Sequence, residues 1–249
     1  MDQSVKSARR VLEVLEYFAE RQGAASADEI RRALGYPQSS TSVLLRSLAS
    51  LGYLSFEAET RRFRPTIRIA LIGAWLVDEA GRAQDPTKMM RHLSTATGDM
   101  IVLGTEQGMD VVYVKVLQAT NPIRFHMRQG ARRPLCTTAV GQALLSTKSD
   151  KQIGAIVRRV NAERPADASP LSPQEIIDKV REGRKLGYYL TKGTVTPGAG
   201  VIAMPIAGLG DHPPLAIGIG APIYRIESEH DRFLELLRKE VRQTSATAS

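Results

Sequence analysis

The sequence predicts an α+β protein in two parts: a small N-terminal module of three helices and a basic hairpin, then a larger domain of helices around a largely antiparallel sheet. Two observations carry this expectation. Within residues 26–68 the apolar periodicity changes from helical to alternating. From about Thr87 onward, β-rich runs and helical patterns alternate. A length of 249 residues suits a first domain of about 65 residues and a second of about 160. The expected boundaries are a first domain over 1–67, a linker helix over 68–86, a second domain over 87–243 and a disordered tail over 244–249, where residues are small and polar.

Val11, Leu12, Val14, Leu15 and Phe18 share one helical face, with Glu13, Glu16 and Glu20 turned to solvent. A second helix starts at Ser26-Ala27-Asp28-Glu29, a capping box in which hydroxyl and carboxylate satisfy orphan N–H groups. It runs through Ile30 and Leu34 and stops at Gly35, which takes a left-handed conformation without strain. After a turn at Tyr36-Pro37, the segment from Gln38 to Leu51 repeats Leu44, Leu45, Leu48 and Leu51 on an inward stripe. Its other face carries Gln38, Ser39, Ser42, Arg46, Ser47 and Ser50. The chain then alternates through Tyr53, Leu54 and Phe56, turns over 57–60, and returns through Arg61, Arg62, Phe63 and Arg64. That order of parts is a winged helix-turn-helix.

A small, polar and basic helix face suits a DNA major groove, where hydroxyls reach phosphates and long donors reach base edges. Taken alone such a face is usually just a solvated one; the order and spacing of the parts favour DNA. Charge agrees, because residues 31–68 hold seven Lys+Arg against two Asp+Glu, whereas residues 1–30 hold four against six. The whole chain has a formal charge of +8.

Beyond the hairpin, 67–83 is strongly apolar, with Ile69, Leu71, Ile72, Trp75, Leu76 and Val77, and closes at Gly81. Such a connecting helix is either an ordinary core helix or one that packs against a second copy of the chain. In the second domain, Met89 to Thr97 reads as a helix, and Met100 to Gly104 and Val111 to Leu117 as strands joined at Gly108-Met109-Asp110. Ile123, Phe125 and Met127 alternate with Arg124, His126 and Arg128, which implies a strand with one buried face. Ser172-Pro173-Gln174-Glu175 is a second capping box, opening a helix that ends at Gly187, and strands follow at Val201 to Ile206 and Leu215 to Gly220.

The run Ser39-Ser40-Thr41-Ser42-Val43-Leu44-Leu45-Arg46-Ser47-Leu48-Ala49-Ser50-Leu51-Gly52-Tyr53-Leu54, with the strand from Arg62 to Arg64, resembles the DNA-binding domain of the IclR family of bacterial transcription regulators. Arg132-Arg133-Pro134-Leu135-Cys136-Thr137-Thr138-Ala139-Val140-Gly141-Gln142-Ala143-Leu144-Leu145 resembles that family's effector-domain signature, and Gly187-Tyr188 and Val201 to Ile206 its later landmarks. The resemblance covers nearly the whole chain. It implies a GAF-like effector-binding domain, double-stranded operator DNA as partner, and a homodimer or dimer of dimers. DNA contacts are then expected from Gln38, Ser39, Ser40, Ser42, Val43, Arg46, Arg61, Arg62 and Arg64. Two positions depart from the family pattern, which usually has arginine at Val43 and lysine at Gln142.

A ligand site is expected from two places. Thr137 and Thr138 precede a helix start whose N–H groups and dipole can receive a carboxylate. Gly218 and Gly220 share one strand face and leave space beside the backbone. Each has a plainer reading, as a helix cap and as room for a neighbouring helix. The resemblance adds Ala139 and Val140 as helix-start positions holding the effector's acid group. It also matches Thr191, near a carboxylate in members that bind small polar acids, and Val201, near a cysteine; serines stand there at the two glycines. Thr137, Thr138, Ala139, Val140, Thr191, Val201, Gly218 and Gly220 are thus the expected effector site. Losing the polar side chains points to a small carboxylate effector with an aromatic ring or short acyl chain.

Enzyme chemistry finds little support. His92, His126, His212 and His230 show no metal-ligand spacing, Gly-x-Ser-x-Gly and P-loop patterns are absent, and no cofactor is expected. Cys136 reads as a core residue rather than the partner of His126 in a dyad. One cysteine excludes an intrachain disulfide, and without a signal-peptide pattern or a membrane-length apolar run the expected setting is cytoplasmic, with no membrane partner. The alternative function is a metabolite-binding or catalytic GAF-like domain with an N-terminal protein-interaction module.

Overall fold

The computed structural model describes residues 5–79, 86–165, 168–206 and 213–245. The chain divides into two compact units, Met1–Gly81 and Arg82–Ser249.

In the first unit, α1 (Lys6–Arg21) buries Val14 and Phe18. Leu12 is exposed, against expectation, because only one side of α1 is covered. Glu13 is half-buried rather than solvated, since its carboxylate accepts from the Tyr36 hydroxyl. Helix α2 (Ala27–Leu34) opens on the expected capping box: the Ser26 hydroxyl accepts from the Glu29 N–H at 3.2 Å, and the Glu29 carboxylate accepts from the Ser26 N–H at 2.7 Å. That backbone bond, before any nearby arginine, holds the Glu29 carboxyl below its usual range. The helix stops at Gly35, at φ 68°.

Helix α3 (Gln38–Ser50) buries Thr41, Leu45 and Leu48. Leu51, expected inward, caps the helix instead and is exposed. Strands β1 (Ala25–Ser26), β2 (Leu54–Glu57) and β3 (Arg62–Pro65) form an antiparallel sheet in the order β1-β3-β2. Tyr53 and Arg61 fall outside the strands, Arg61 in the turn at φ 52°. Val14, Phe18, Ile30, Leu45, Leu48, Leu54 and Phe63 make the core, at roughly 1.5–3 kcal/mol for each large side chain fully buried. Helix α4 (Ile67–Glu79) follows, exposing Ile67, Leu71 and Ile72; the expected stop at Gly81 lies outside the described residues.

The second unit runs α5 (Pro86–Thr97), β4 (Met100–Gln107), β5 (Asp110–Leu117), β6 (Arg132–Pro134), α6 (Ala139–Leu145), α7 (Asp150–Glu163), α8 (Pro173–Leu186), β7 (Tyr189–Lys192), β8 (Ala199–Ile206), β9 (Leu215–Pro222), α9 (Ile223–Ser228) and α10 (His230–Ser245). The six-stranded sheet has the order β6-β5-β4-β9-β8-β7, every neighbouring pair antiparallel. Strand alternation divides the core. Val102, Val111, Tyr113 and Ala203 face α6. Ile101, Leu103, Ile202, Ile217 and Ile219 join Met90, Leu93, Phe233 and Leu237 of α5 and α10 on the other side. Asp99, 1% exposed, is held at the start of β4 by Arg225 at 2.8 Å and Asn121 at 2.9 Å.

Three expectations change here. No strand forms over 123–127: Phe125 and Met127 are half-buried and Ile123 exposed, but the segment's backbone is held by the Gln118 amide rather than by a ladder. At α8 the Ser172 hydroxyl accepts from the Glu175 N–H, and the reciprocal carboxylate bond is absent among the described residues. The tail expected over 244–249 begins within α10, and 246–249 lie outside the described residues.

Candidate functional site

Two features of this fold present chemistry outward or into a cavity. The first is the free face of α3, where Gln38, Ser39, Val43, Arg46, Ser47 and Ser50 are exposed. Ser40 and Ser42 are half-buried, and the Ser40 hydroxyl donates to the Pro37 carbonyl at 3.2 Å. Arg46 has no hydrogen-bond or ion-pair partner among the described residues. In the hairpin Arg61 and Arg64 are exposed. Arg62 differs: its guanidinium donates to the Ala24 carbonyl at 3.0 Å and lies 3.3 Å from the Glu29 carboxylate. It ties β3 to the start of α2, which makes it a structural group before it is a phosphate contact.

The second is a cavity of about 110 Å³ in the second unit, to which all six strands contribute. Of the expected effector residues, Thr138, Thr191, Val201 and Gly220 line it. Thr137 faces a wider and more open surface trough beside α8 and β7. The smaller cavity is the stronger candidate, because enclosure by the sheet removes a ligand from water.

Ala139 and Val140 are wholly buried behind the cavity. Two N–H groups of the helix start they form are already satisfied by the protein itself. The Ala139 N–H donates to the Thr191 hydroxyl at 3.3 Å, and the Gly141 N–H to the Thr138 hydroxyl at 3.2 Å. Space beside Gly218 is also taken: a Cβ there would lie 3.2–3.3 Å from Val201, Val102 and the Ile202 carbonyl. Only Gly220 leaves an adaptable wall, since its nearest neighbour would be the flexible end of Met100.

The sequence reading missed Met100, Tyr113, Phe125, His126, Met127 and Arg133 in the lining. The alternation of Phe125 and Met127 was their visible trace, read as a strand when it marks a segment covering the cavity. Phe125 also meets the second covering segment, its ring tip 3.7 Å from where a Cβ on Gly198 would stand. Cys136 does not line the cavity, and burial pushes its thiol up to about 11. It is a neutral core group. Among the described residues no three His, Cys, Asp or Glu side chains gather as metal ligands, and no helix is long and apolar enough to cross a membrane.

Comparison with known proteins matches both units. Residues 7–58 match the IclR helix-turn-helix domain, and residues 78–246 match the bacterial transcriptional regulator IclR C-terminal domain. The chain is 23% identical over 244 residues to the HTH-type transcriptional regulator KdgR of Escherichia coli K12, spanning 98% of this chain and 92% of that one. The crystal structure of the effector domain of an IclR regulator from Acinetobacter sp. ADP1 is 26% identical, with a TM-score of 0.60 over 71% of this chain and 97% of that one. The Thermotoga maritima IclR crystal structure, 17% identical, has a TM-score of 0.64 over 97% of this chain and 98% of the other, and so shares the fold across both units. A helix-turn-helix with a free polar face, an α+β domain around an enclosed cavity and two family models covering most of the chain lead to one conclusion: the protein belongs to the IclR family of bacterial transcriptional regulators and is not an enzyme.

Proposed function

We propose that this regulator senses a small carboxylate in the cavity of its second unit and thereby controls transcription of a metabolic operon from double-stranded DNA. It acts in the cytoplasm as a homodimer or a dimer of dimers. The observation that carries this reading is the composition of the cavity wall. Thr191, Thr194 and Thr196 offer hydroxyls, Arg133 a guanidinium, and Met100, Phe125, Met127, Val195 and Val201 an apolar surface, while the Thr138 hydroxyl is committed to the Pro134 carbonyl. No aspartate or glutamate is among the lining residues, so an anion meets no repulsion there. A volume of about 110 Å³ is small beside the roughly 300–1,000 Å³ of drug-sized sites, which suits one ring or a short acyl chain.

Dimerisation is supported by α4, whose Ile67, Leu71 and Ile72 are 74%, 63% and 56% exposed. Three large apolar side chains within six positions favour burial against a second copy. Pairing sets the spacing of two DNA-reading helices, and the ligand changes DNA affinity only by binding one arrangement more tightly than the other.

The test is a thermal-shift screen of aromatic and short-chain carboxylates on the full-length protein, followed by DNA titration with the acids that stabilise it. The DNA is a duplex selected by the protein from a random library. An acid that raises the melting temperature and changes duplex affinity is the expected result. If every stabilising acid leaves DNA affinity untouched, the sensing role is refuted.

A further inference from the structure

At the start of α6, the expected receptor for the ligand's acid group, the Ala139 and Gly141 N–H groups are engaged by the Thr191 and Thr138 hydroxyls. The cavity wall also holds a charged receptor. Arg133 stands on β6, paired with Val111 of β5, and Tyr113 lies two residues further along β5 on the same sheet face. Both line the cavity. We infer that Arg133 is the ionic anchor of the bound carboxylate, and that the Tyr113 hydroxyl donates a neighbouring hydrogen bond to it. This deepens the proposed sensing function and rests on it.

Partner bookkeeping singles Arg133 out. Its guanidinium donates to the Arg132 carbonyl at 2.9 Å and to the Met127 sulfur at 3.0 Å, the latter a weak acceptor, and it meets no carboxylate among the described residues. Its neighbour Arg132, by contrast, is paired with Asp110 at 2.9 Å. A half-buried guanidinium beside an enclosed cavity, with donors left over, is stabilised by an anion in that cavity.

Tyr113 is a second, independent sign. Its side chain is 4% exposed, and its hydroxyl has no hydrogen-bond partner among the described residues. A cavity-lining hydroxyl without a protein partner has its proton free for a ligand. Burial pushes its pKa up to about 12, with Arg133 pulling the other way. The phenol therefore keeps its proton at neutral pH and is a donor to a carboxylate. Met127, whose sulfur Arg133 touches, lies at the same end, and Met100, Phe125 and Val201 add apolar wall for the body of the ligand.

Matched acid and amide pairs test this on the full-length protein: benzoate with benzamide, phenylacetate with phenylacetamide, butyrate with butyramide. Arg133→Met keeps the length and apolar stem of the side chain, Arg133→Lys keeps the charge, and Tyr113→Phe removes only the hydroxyl. For the wild type, at least one acid binds more tightly than its amide. Arg133→Met weakens that acid by about 10- to 100-fold, the scale of a charge-assisted hydrogen bond, and abolishes the acid-over-amide preference. Arg133→Lys retains part of that preference, and Tyr113→Phe weakens the acid by less than Arg133→Met does. Acid binding that is unchanged in Arg133→Met overturns the anchor and leaves the carboxylate reading intact. Should Arg133→Met fail to fold, Arg133→Lys decides: an acid affinity and preference identical to wild type, lacking the forked guanidinium, overturns the anchor. If amides bind as well as acids to the wild type, or no acid binds, the carboxylate reading fails and takes the anchor with it.

Discussion

Arg46→Ala separates base reading from charge attraction at the exposed face of α3. Because Arg46 is exposed and has no hydrogen-bond or ion-pair partner among the described residues, its removal leaves the fold unchanged, and any loss belongs to the DNA interface. A bidentate arginine–guanine contact contributes about 1–3 kcal/mol of discrimination, or roughly 5- to 150-fold. A phosphate contact instead weakens all sequences together and lowers the salt slope by about one. We predict a loss in that range on a duplex selected by the wild-type protein, read by fluorescence anisotropy across a salt series, with little change on scrambled DNA. Arg62→Ala is the control for the opposite case. Its guanidinium holds the Ala24 carbonyl, so this variant melts at a lower temperature, which Arg64→Ala does not. Equal loss on both duplexes for Arg46→Ala, with a reduced salt slope, would refute the base-reading role.

Gly141→Ala places a Cβ 2.0 Å from the Leu135 carbonyl oxygen; backbone cannot yield as a side chain does, so denaturant titration should show the second unit losing at least the roughly 1–3 kcal/mol typical of overpacking. Cys136 and Tyr113 titrate at about 11 and about 12 in the fold against ordinary values of 9.0 and 10.0. Their folded values are raised, so the stability they contribute is complete below the unfolded values and is lost as pH rises through the folded ones; melting temperatures should fall from about pH 9 upward, and a Cys136→Ala, Tyr113→Phe double variant should flatten that fall. Replacing Leu71 and Ile72 of α4 together by glutamate should give a monomer by sedimentation and weaken operator binding; a dimer of wild-type strength would place the contact elsewhere.

Local signals were legible in the sequence wherever one residue type does one physical job. Ser26 with Glu29, Gly35 and Gly187 mark helix ends by hydrogen bonding and left-handed backbone, and the structure has them there. The near-continuous apolar runs of β4, β8 and β9 likewise follow directly from burial of both sheet faces. The cavity was half legible. Thr138, Thr191, Val201 and Gly220 line it, but which glycine borders space depends on side chains from other strands, Val102 and Met100, that no local pattern reveals. The same limit hid Arg133 and Tyr113, since a missing partner is visible only once every neighbour is in place. Arg62 taught the converse: a basic residue in a basic hairpin looked like a DNA contact until Ala24 and Glu29 were found within its reach.

The central claim is a coupling between the cavity and the DNA-reading face, and coupling can be measured from both ends of one protein. DNA affinity is titrated with and without a saturating acid from the screen, and affinity for the same acid is titrated with and without saturating duplex. Linkage requires the two ratios to be equal. The account predicts one common factor of about 5- to 150-fold, the usual range of allosteric coupling, lost in parallel from both titrations when Arg133 is replaced by methionine. An acid that binds the free and the DNA-bound protein with the same affinity would contradict it.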